Sequence, residues 1–121
     1  MKRVVLQEIK NIIQNLNLNC SVKEFPVKVN WYNVSYYQKL SEDFIREFQN
    51  RIDWYNVSIR QKLSENFIRE FKNKINWARI SYYQKLSEDF IRKFQNKVNW
   101  HNISIRQNLS EDFIREFKDR V

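Results

Sequence analysis

Apolar and polar positions along this chain follow one pattern that returns every 23 residues. Each copy begins at a tryptophan and continues with an apolar residue three positions later, a Gln-x-Leu-Ser-Glu segment and a Phe-Ile-Arg segment. The tryptophans are Trp31, Trp54, Trp77 and Trp100. A fixed period of about 20 to 50 residues is typical of solenoids, in which each unit buries its apolar face against its neighbours. The pattern therefore predicts four repeats, at residues 30–52, 53–75, 76–98 and 99–121.

The second half of each repeat carries the signals of a short helix, which we call helix B. In residues 53–75, Ser64 stands where a hydroxyl caps the first turn of a helix. Phe67, Phe71 and Ile75 follow at helical spacing and predict a buried stripe. We expect helix B to begin at Glu65 and to run for about 11 residues, up to the next repeat.

The first half of each repeat predicts a second helix, helix A. Asp53 is a good N-cap, and Ile52 before it and Val57 four residues after it form a hydrophobic staple. We expect helix A to run from about Trp54 to Lys62. Helices this short are not stable alone in water, so their stability must come from the stacking of one repeat on the next. A strand at the Ile-Asp-Trp junction is the alternative, although strict alternation of polar and apolar residues is absent.

The ends of the chain differ from the repeats. Val4 to Leu16 has the pattern of an amphipathic helix, and Val22–Phe25 echoes Ile45–Phe48, so residues 1–29 predict a helical cap that includes a decayed repeat interrupted by Pro26. The last repeat has no polar capping variant, so we expect a homodimer through this uncapped C-terminal repeat. The sequence thus predicts an all-α solenoid with an N-terminal helical cap.

Composition narrows the class of protein. Apolar residues make up 42% of the chain and aromatic residues 16%, which excludes a disordered chain. Charged residues make up 30%, and no apolar run is long enough for a membrane span. The N-terminus lacks the apolar segment of a signal peptide, so we expect an intracellular protein. The absence of glycine excludes glycine-rich phosphate loops. Cys20 and His101 stand without any catalytic or metal-binding constellation, so we expect no enzyme activity, no cofactor and no metal.

A second period of 46 residues lies over the first and indicates where function resides. Tyr36-Tyr37 recurs as Tyr82-Tyr83, whereas Ile59-Arg60 recurs as Ile105-Arg106. These variable positions lie on helix A, away from its apolar stripe, and exposed tyrosines are typical of protein interfaces. We therefore expect protein–protein interaction through a helix A ridge. Its residues are Tyr32, Tyr36, Tyr37, Tyr55, Arg60, Arg79, Tyr82, Tyr83, His101 and Arg106.

Nucleic-acid binding is the alternative function. The net charge is +8, and a regular row of cations on helix B could follow a phosphate backbone. We call this row the basic ridge; its residues are Arg46, Arg69, Arg92, Arg115, Lys74 and Lys97. However, a glutamate precedes each arginine by one helical turn, and the first and fourth repeats are neutral, Lys and Arg counted against Asp and Glu. The pattern favours a solvated face.

Two recurring residue types have a structural and a functional interpretation. In the structural interpretation the glutamines bond the backbone of the adjacent repeat, and in the functional interpretation they contact a ligand strand. The structural interpretation is favoured because buried amides need hydrogen-bond partners. The glutamines are Gln38, Gln61, Gln84 and Gln107. The tryptophans are core residues or stack nucleic-acid bases, and helical spacing favours the core.

The repeat unit Asp-Trp-Tyr-Asn-Val-Ser-Ile-Arg-Gln-Lys-Leu-Ser-Glu-Asn-Phe-Ile-Arg-Glu-Phe, at residues 53–71, resembles short tandem repeats in predicted proteins of giant viruses, other large DNA viruses and phages. The resemblance covers residues 30–121. It implies a viral or mobile-element helical repeat protein that acts on a factor inside a host cell, and it carries over no assigned biochemical activity.

Overall fold

The computed structural model describes residues 1–121 and contains ten α-helices and no β-strand. The helices are α1 (Arg3–Asn15), α2 (Phe25–Lys28), α3 (Trp31–Tyr37), α4 (Glu42–Glu47), α5 (Trp54–Arg60), α6 (Glu65–Glu70), α7 (Trp77–Tyr83), α8 (Glu88–Lys93), α9 (Trp100–Arg106) and α10 (Glu111–Glu116). None of them combines the length and the apolar content that crossing a bilayer requires. The all-α prediction is confirmed, and the strand alternative at the repeat junctions is wrong.

The chain forms two compact units, Met1–Gln61 and Lys62–Val121. The first contains α1 to α5 and the second contains α6 to α10. In the first unit helix A of repeat one packs on helix A of repeat two, and in the second unit α7 packs on α9 in the same way. Successive repeats therefore stack inside each unit, as the predicted α-solenoid requires.

Each helix of a repeat begins where the sequence predicts. The Asn76 side chain accepts a hydrogen bond from the backbone N–H of Arg79, and Ser87 accepts one from Phe90. Val98 before the Asn99 cap is buried, as a hydrophobic staple requires. The same caps, Asn or Asp before helix A and Ser before helix B, are present in all four repeats.

Both helices end earlier than predicted. Helix A of repeat two ends at Arg60 and not at Lys62, because Gln61 is extended (φ −87°, ψ 143°) and directs its side chain to the preceding repeat. Helix B in the second unit spans Glu65–Glu70, six residues and not about 11. A turn follows, in which the Lys74 N–H donates to the Phe71 carbonyl. This turn brings Ile75 back to the core.

The tryptophans fasten each helix A to the end of the preceding helix B. The indole N–H of Trp77 donates to the carbonyl of Lys72 at 2.9 Å, and the equivalent bond spans five residues in every repeat. The Trp77 ring centroid lies 5.2 Å from that of Phe94. Trp77 is half-buried, whereas Phe90 beneath it is fully buried. The core interpretation is confirmed, with phenylalanine in the centre and tryptophan at its edge.

The glutamines form a ladder between repeats, so the structural interpretation is confirmed. The Gln61 amide nitrogen donates to the carbonyls of Ser35 (2.9 Å) and Gln38 (2.7 Å), and its oxygen accepts from the Leu40 N–H (2.9 Å). Gln107 makes the equivalent three bonds in the second unit. Gln61 and Gln107 thereby each satisfy three backbone groups at the end of the preceding helix A, whereas the Gln38 side chain of repeat one makes no such bond.

Residues 1–29 cover the leading edge of repeat one in the first unit. The indole N–H of Trp31 donates to the Pro26 carbonyl at 3.0 Å, as each later tryptophan does to the residue five positions before it. Phe25 is fully buried and packs against Phe44 and Phe48. Helix α1 packs on α4 and buries Val5, Ile9 and Ile12. The N-terminal segment therefore takes the place of a preceding repeat.

Candidate functional site

The predicted helix A ridge falls on α3, α5, α7 and α9. Five of its residues are exposed aromatic or histidine side chains: Tyr32, Tyr37, Tyr55, Tyr83 and His101. Tyr36 and Tyr82 were expected to be exposed, but both are half-buried because an arginine of the next repeat covers each ring. Arg79 is also half-buried, and Arg60 and Arg106 are exposed.

In the first unit, the ridge contains a tyrosine cluster joined to one arginine. The Arg60 guanidinium lies 4.6 Å from the centre of the Tyr36 ring, within cation–π distance. Tyr37 meets the same ring edge-on at 4.7 Å, and Tyr32 stacks parallel to it at 6.3 Å. Tyr37 remains 66% exposed, so the cluster presents a broad aromatic surface to solvent.

The second unit repeats this arrangement. Arg106 lies 4.6 Å from the centre of the Tyr82 ring, and Tyr83 lies 4.7 Å from Tyr82. These side chains line a shallow pocket of about 290 Å³ together with Lys85 and Gln107. The lining contains two cations and no carboxylate. The pocket is therefore aromatic and basic at once.

These two Tyr–Arg pairs explain the period of 46 residues. Odd repeats supply Tyr-Tyr, even repeats supply Ile-Arg, and the arginine of an even repeat covers the first tyrosine of the odd repeat before it. The period is therefore partly structural, since each pair joins two neighbouring repeats. Tyr55, Arg79 and His101 lie on the same ridge but outside the two Tyr–Arg pairs.

The arginines of the basic ridge are engaged by carboxylates and amides. Arg92 bonds both Asp89 (2.9 Å) and Glu116 (2.9 Å), and Glu116 raises its pKa above the ordinary value. Arg46 and Arg115 pair with aspartates three residues earlier at 3.1 Å and 3.0 Å. Arg69 bonds the Asn66 side chain. By contrast, no hydrogen bond or ion pair engages the guanidinium of Arg60 or Arg106.

No family model, curated protein or solved structure matches this chain. The structure itself shows regular helical repeats whose first helices begin at Trp31, Trp54, Trp77 and Trp100.

The histidine, cysteine and acidic side chains form no metal centre. No group of three or more His, Cys, Asp or Glu side chains is placed to hold a metal ion. Cys20 is a half-buried free thiol, and His101 is exposed on α9.

Sequence reasoning missed a carboxylate–serine contact that joins repeats. The Glu88 carboxylate accepts hydrogen bonds from the Ser110 N–H (2.6 Å) and hydroxyl (2.9 Å), and Glu65 binds Ser87 in the same way. Glu8 of α1 takes this role for Ser41 of repeat one. We call this contact the Glu–Ser clamp. Its only signal in the sequence is the invariant Ser-Glu pair of the repeats.

The Glu–Ser clamp predicts a loss of stability in acid. The backbone N–H of Ser110 lowers the pKa of Glu88 below its ordinary value of 4.5. Because the folded state binds the proton less readily, the stabilisation is complete above the unfolded pKa and is lost as pH falls through the folded pKa. Glu88→Gln should flatten the decline of the urea midpoint below about pH 4.5. Glu47→Gln, at an exposed position of α4, is the control, and equal flattening by both variants would contradict a specific role for the clamp.

Proposed function

We propose that this chain is a non-enzymatic repeat scaffold that binds a protein partner through its helix A ridge. The observation that carries the proposal is the contrast between two sets of arginines. Arg60 and Arg106 are stacked on tyrosines with their donors unengaged, whereas Arg46, Arg92 and Arg115 are neutralised by neighbouring acids. The unengaged donors therefore mark the surface that is ready to bind.

The chemistry of these pairs favours a partner segment with carboxylates. A guanidinium stacked on a ring loses much of its rotamer freedom, while its N–H edge still reaches a carboxylate in bidentate geometry. Tyr83 and Lys85 beside Arg106 add aromatic contact area and a second positive charge. Tyrosines contribute contact area at low entropy cost. An acidic segment with apolar or aromatic neighbours is the ligand that fits this combination.

Nucleic-acid binding through the basic ridge is the second candidate. The excess charge of repeats two and three, +2 and +3 with Lys and Arg counted against Asp and Glu, is the observation in its favour. The ion pairs of Arg46, Arg92 and Arg115 weigh against it, because each must be broken or shared for phosphate to bind.

For the protein-binding proposal, the resemblance of the repeat to viral sequences suggests a kind of partner. We propose that the partner is a factor of a host cell.

Selection of displayed peptides against the immobilised chain tests the protein-binding proposal. We expect the selected peptides to be enriched in Asp and Glu. Arg60→Gln with Arg106→Gln should weaken their binding at least about tenfold, since hydrogen bonds to charged groups contribute about 1.5–3 kcal/mol each. Lys72→Gln with Lys118→Gln removes the same charge away from the Tyr–Arg pairs and should leave affinity within about twofold.

Two results would overturn the proposal. If both double variants weaken peptide binding equally, net charge alone explains the loss of affinity. The second result is that the chain binds single-stranded DNA or RNA with an affinity that falls steeply as salt rises. If the Arg60→Gln, Arg106→Gln variant binds nucleic acid with the same affinity, the basic ridge is the favoured site.

A further inference from the structure

The pocket beside the Tyr82–Arg106 pair contains more unengaged donors than a carboxylate can use. We call it the Tyr–Arg pocket; its walls include Tyr82, Tyr83, Lys85, Arg106, Gln107 and Asn108. The Arg106 guanidinium, the Lys85 ammonium and the Asn108 amide make no hydrogen bond or ion pair in the protein. Because no carboxylate lines the pocket, the positive charges of Arg106 and Lys85 are not opposed there.

Gln107 fixes the backbone that carries these donors. Its amide nitrogen donates to the Gln84 carbonyl at 2.7 Å, and its oxygen accepts from the Leu86 N–H at 3.1 Å. These two backbone groups flank Lys85, and Arg106 directly precedes Gln107 in the chain. The two cations come from different repeats, yet they are attached to one hydrogen-bonded piece of backbone.

The equivalent positions of repeat two are open to solvent as well. Arg60 stands at the position of Arg106 and Lys62 at that of Asn108, and both are exposed although a further repeat follows them. The exposure of Arg106 and Asn108 therefore follows from their position at the end of helix A.

The number and charge of the donors suit a phosphate monoester. A phosphorylated side chain carries a charge of about −1.5 to −2 at neutral pH and three strong acceptor oxygens, whereas a carboxylate carries one charge and two oxygens. An arginine fork binds two phosphate oxygens in parallel, which leaves the third for Lys85 and Asn108. A phosphodiester of nucleic acid has one charge and two terminal oxygens, so it uses fewer of these donors.

The tyrosines of the pocket favour a phosphate that is carried by an aromatic ring. Tyr83 is 46% exposed, and its ring centroid lies 4.7 Å from that of Tyr82. Aromatic rings attract one another in offset or edge-on geometry beyond the effect of the area that they bury. The volume of about 290 Å³ admits a ring together with its phosphate. A phosphoserine is too short to use the exposed Tyr83 ring in the same way.

We propose that the Tyr–Arg pocket binds a phosphotyrosine side chain of the partner protein. The proposal rests on the proposed function, since it assigns the acidic group that the helix A ridge binds. Arg106 binds two phosphate oxygens, Lys85 and Asn108 bind the third, and Tyr83 packs against the ring of the phosphotyrosine.

Titration of the full chain with phenyl phosphate, followed by the amide resonances of the protein, tests this assignment. We expect saturable shifts at Tyr83, Lys85 and Asn108. Phenyl phosphate should bind at least about tenfold more tightly than phenylacetate, which carries a carboxylate on the same ring, because it offers an additional charge and an additional acceptor. It should also bind more tightly than inorganic phosphate, which lacks the ring.

Three single variants separate the pocket from net charge. Arg106→Gln and Lys85→Gln should each weaken the binding of phenyl phosphate at least about tenfold, since hydrogen bonds to charged groups are lost. Lys72→Gln removes an exposed charge from the same unit and should leave the affinity within about twofold. Because Lys85 is exposed and makes no hydrogen bond or ion pair, its variant distinguishes a loss of binding from a loss of folding.

A peptide library with a fixed central phosphotyrosine extends the test to a protein ligand. The immobilised chain should retain it in preference to the same library with a fixed phosphoserine, glutamate or unmodified tyrosine. Equal retention of the phosphoserine or glutamate library would overturn the assignment, and so would equal affinity for phenyl phosphate and phenylacetate.

The proposed function has a separate outcome. Displayed acidic peptides whose binding depends on Arg106 would uphold it even if phenyl phosphate does not bind. An oligonucleotide of thymidines that displaces phenyl phosphate and binds more tightly than the phosphotyrosine library would overturn the assignment and give the pocket to nucleic acid.

Discussion

Replacement of Phe90 by alanine is expected to lower the free energy of unfolding by about 3–5 kcal/mol. Phe90 is fully buried in the second unit, where its ring centroid lies 4.7 Å from that of Phe94 and 6.2 Å from that of Trp77. The Arg69 guanidinium covers its other side at 5.3 Å. Truncation removes a large apolar surface and leaves a cavity. The surrounding helices are short and are each held by an N-cap, so they cannot easily move to close it.

Urea unfolding followed by tryptophan fluorescence and by circular dichroism measures this loss. Trp77→Ala should cost less than Phe90→Ala, because the indole is half-buried and lies at the edge of the core. Tyr83→Ala, at a 46% exposed position, should cost no more than about 0.5 kcal/mol. The expected order is therefore Phe90, then Trp77, then Tyr83. A loss at Tyr83 as large as that at Phe90 would contradict the assignment of the core.

Helix starts could be predicted from the sequence because the signals that define them are local. Ser87 caps a helix whose first turn lies within three residues, and Val98 stands directly before its cap. These interactions involve neighbours along the chain, so the repeat pattern alone places the first residue of every helix in the four repeats, whereas α1 begins at Arg3, one residue before the predicted start at Val4. The buried positions follow from the same pattern, since Phe90 and Ile91 recur at equivalent places in each repeat.

Helix ends could not be predicted in the same way, because their causes lie in other repeats. Gln61 leaves helix A so that its amide can reach carbonyls 26 and 23 residues earlier. Ile75 leaves helix B because it must return to the core before the Asn76 cap. Neither requirement is visible within a single repeat. Local propensity therefore extends both helices beyond the point where tertiary contacts stop them.

The candidate site was predictable in outline but not in geometry. The period of 46 residues identified Tyr36, Arg60, Tyr82 and Arg106 as special, yet it did not reveal that each arginine lies on a tyrosine ring. The stacking changes the interpretation of the site. In each pair, the stacking of the guanidinium on the first tyrosine ring is a contact between neighbouring repeats. The N–H edge of the guanidinium and the adjoining second tyrosine are the parts available to a partner.

Gln61→Leu is expected to destabilise the first unit by about 3 kcal/mol or more, because each buried backbone group left without a partner costs about 1–3 kcal/mol. The substitution keeps the approximate shape of the side chain and removes all three bonds, to the Ser35 and Gln38 carbonyls and from the Leu40 N–H. Gln61 is only 4% exposed, so water does not readily replace the amide.

Gln38 is the matched control for this substitution. It occupies the same position in repeat one, but residues 1–29 stand where a preceding repeat would be, and its half-buried side chain makes no hydrogen bond in the protein. Gln38→Leu should therefore change stability by no more than about 0.5 kcal/mol. Amide exchange at Leu40 gives a second readout, since its N–H should exchange faster in Gln61→Leu and unchanged in Gln38→Leu. Equal costs for the two variants would mean that the loss does not come from these three hydrogen bonds, and the ladder would then contribute nothing to the joining of repeats.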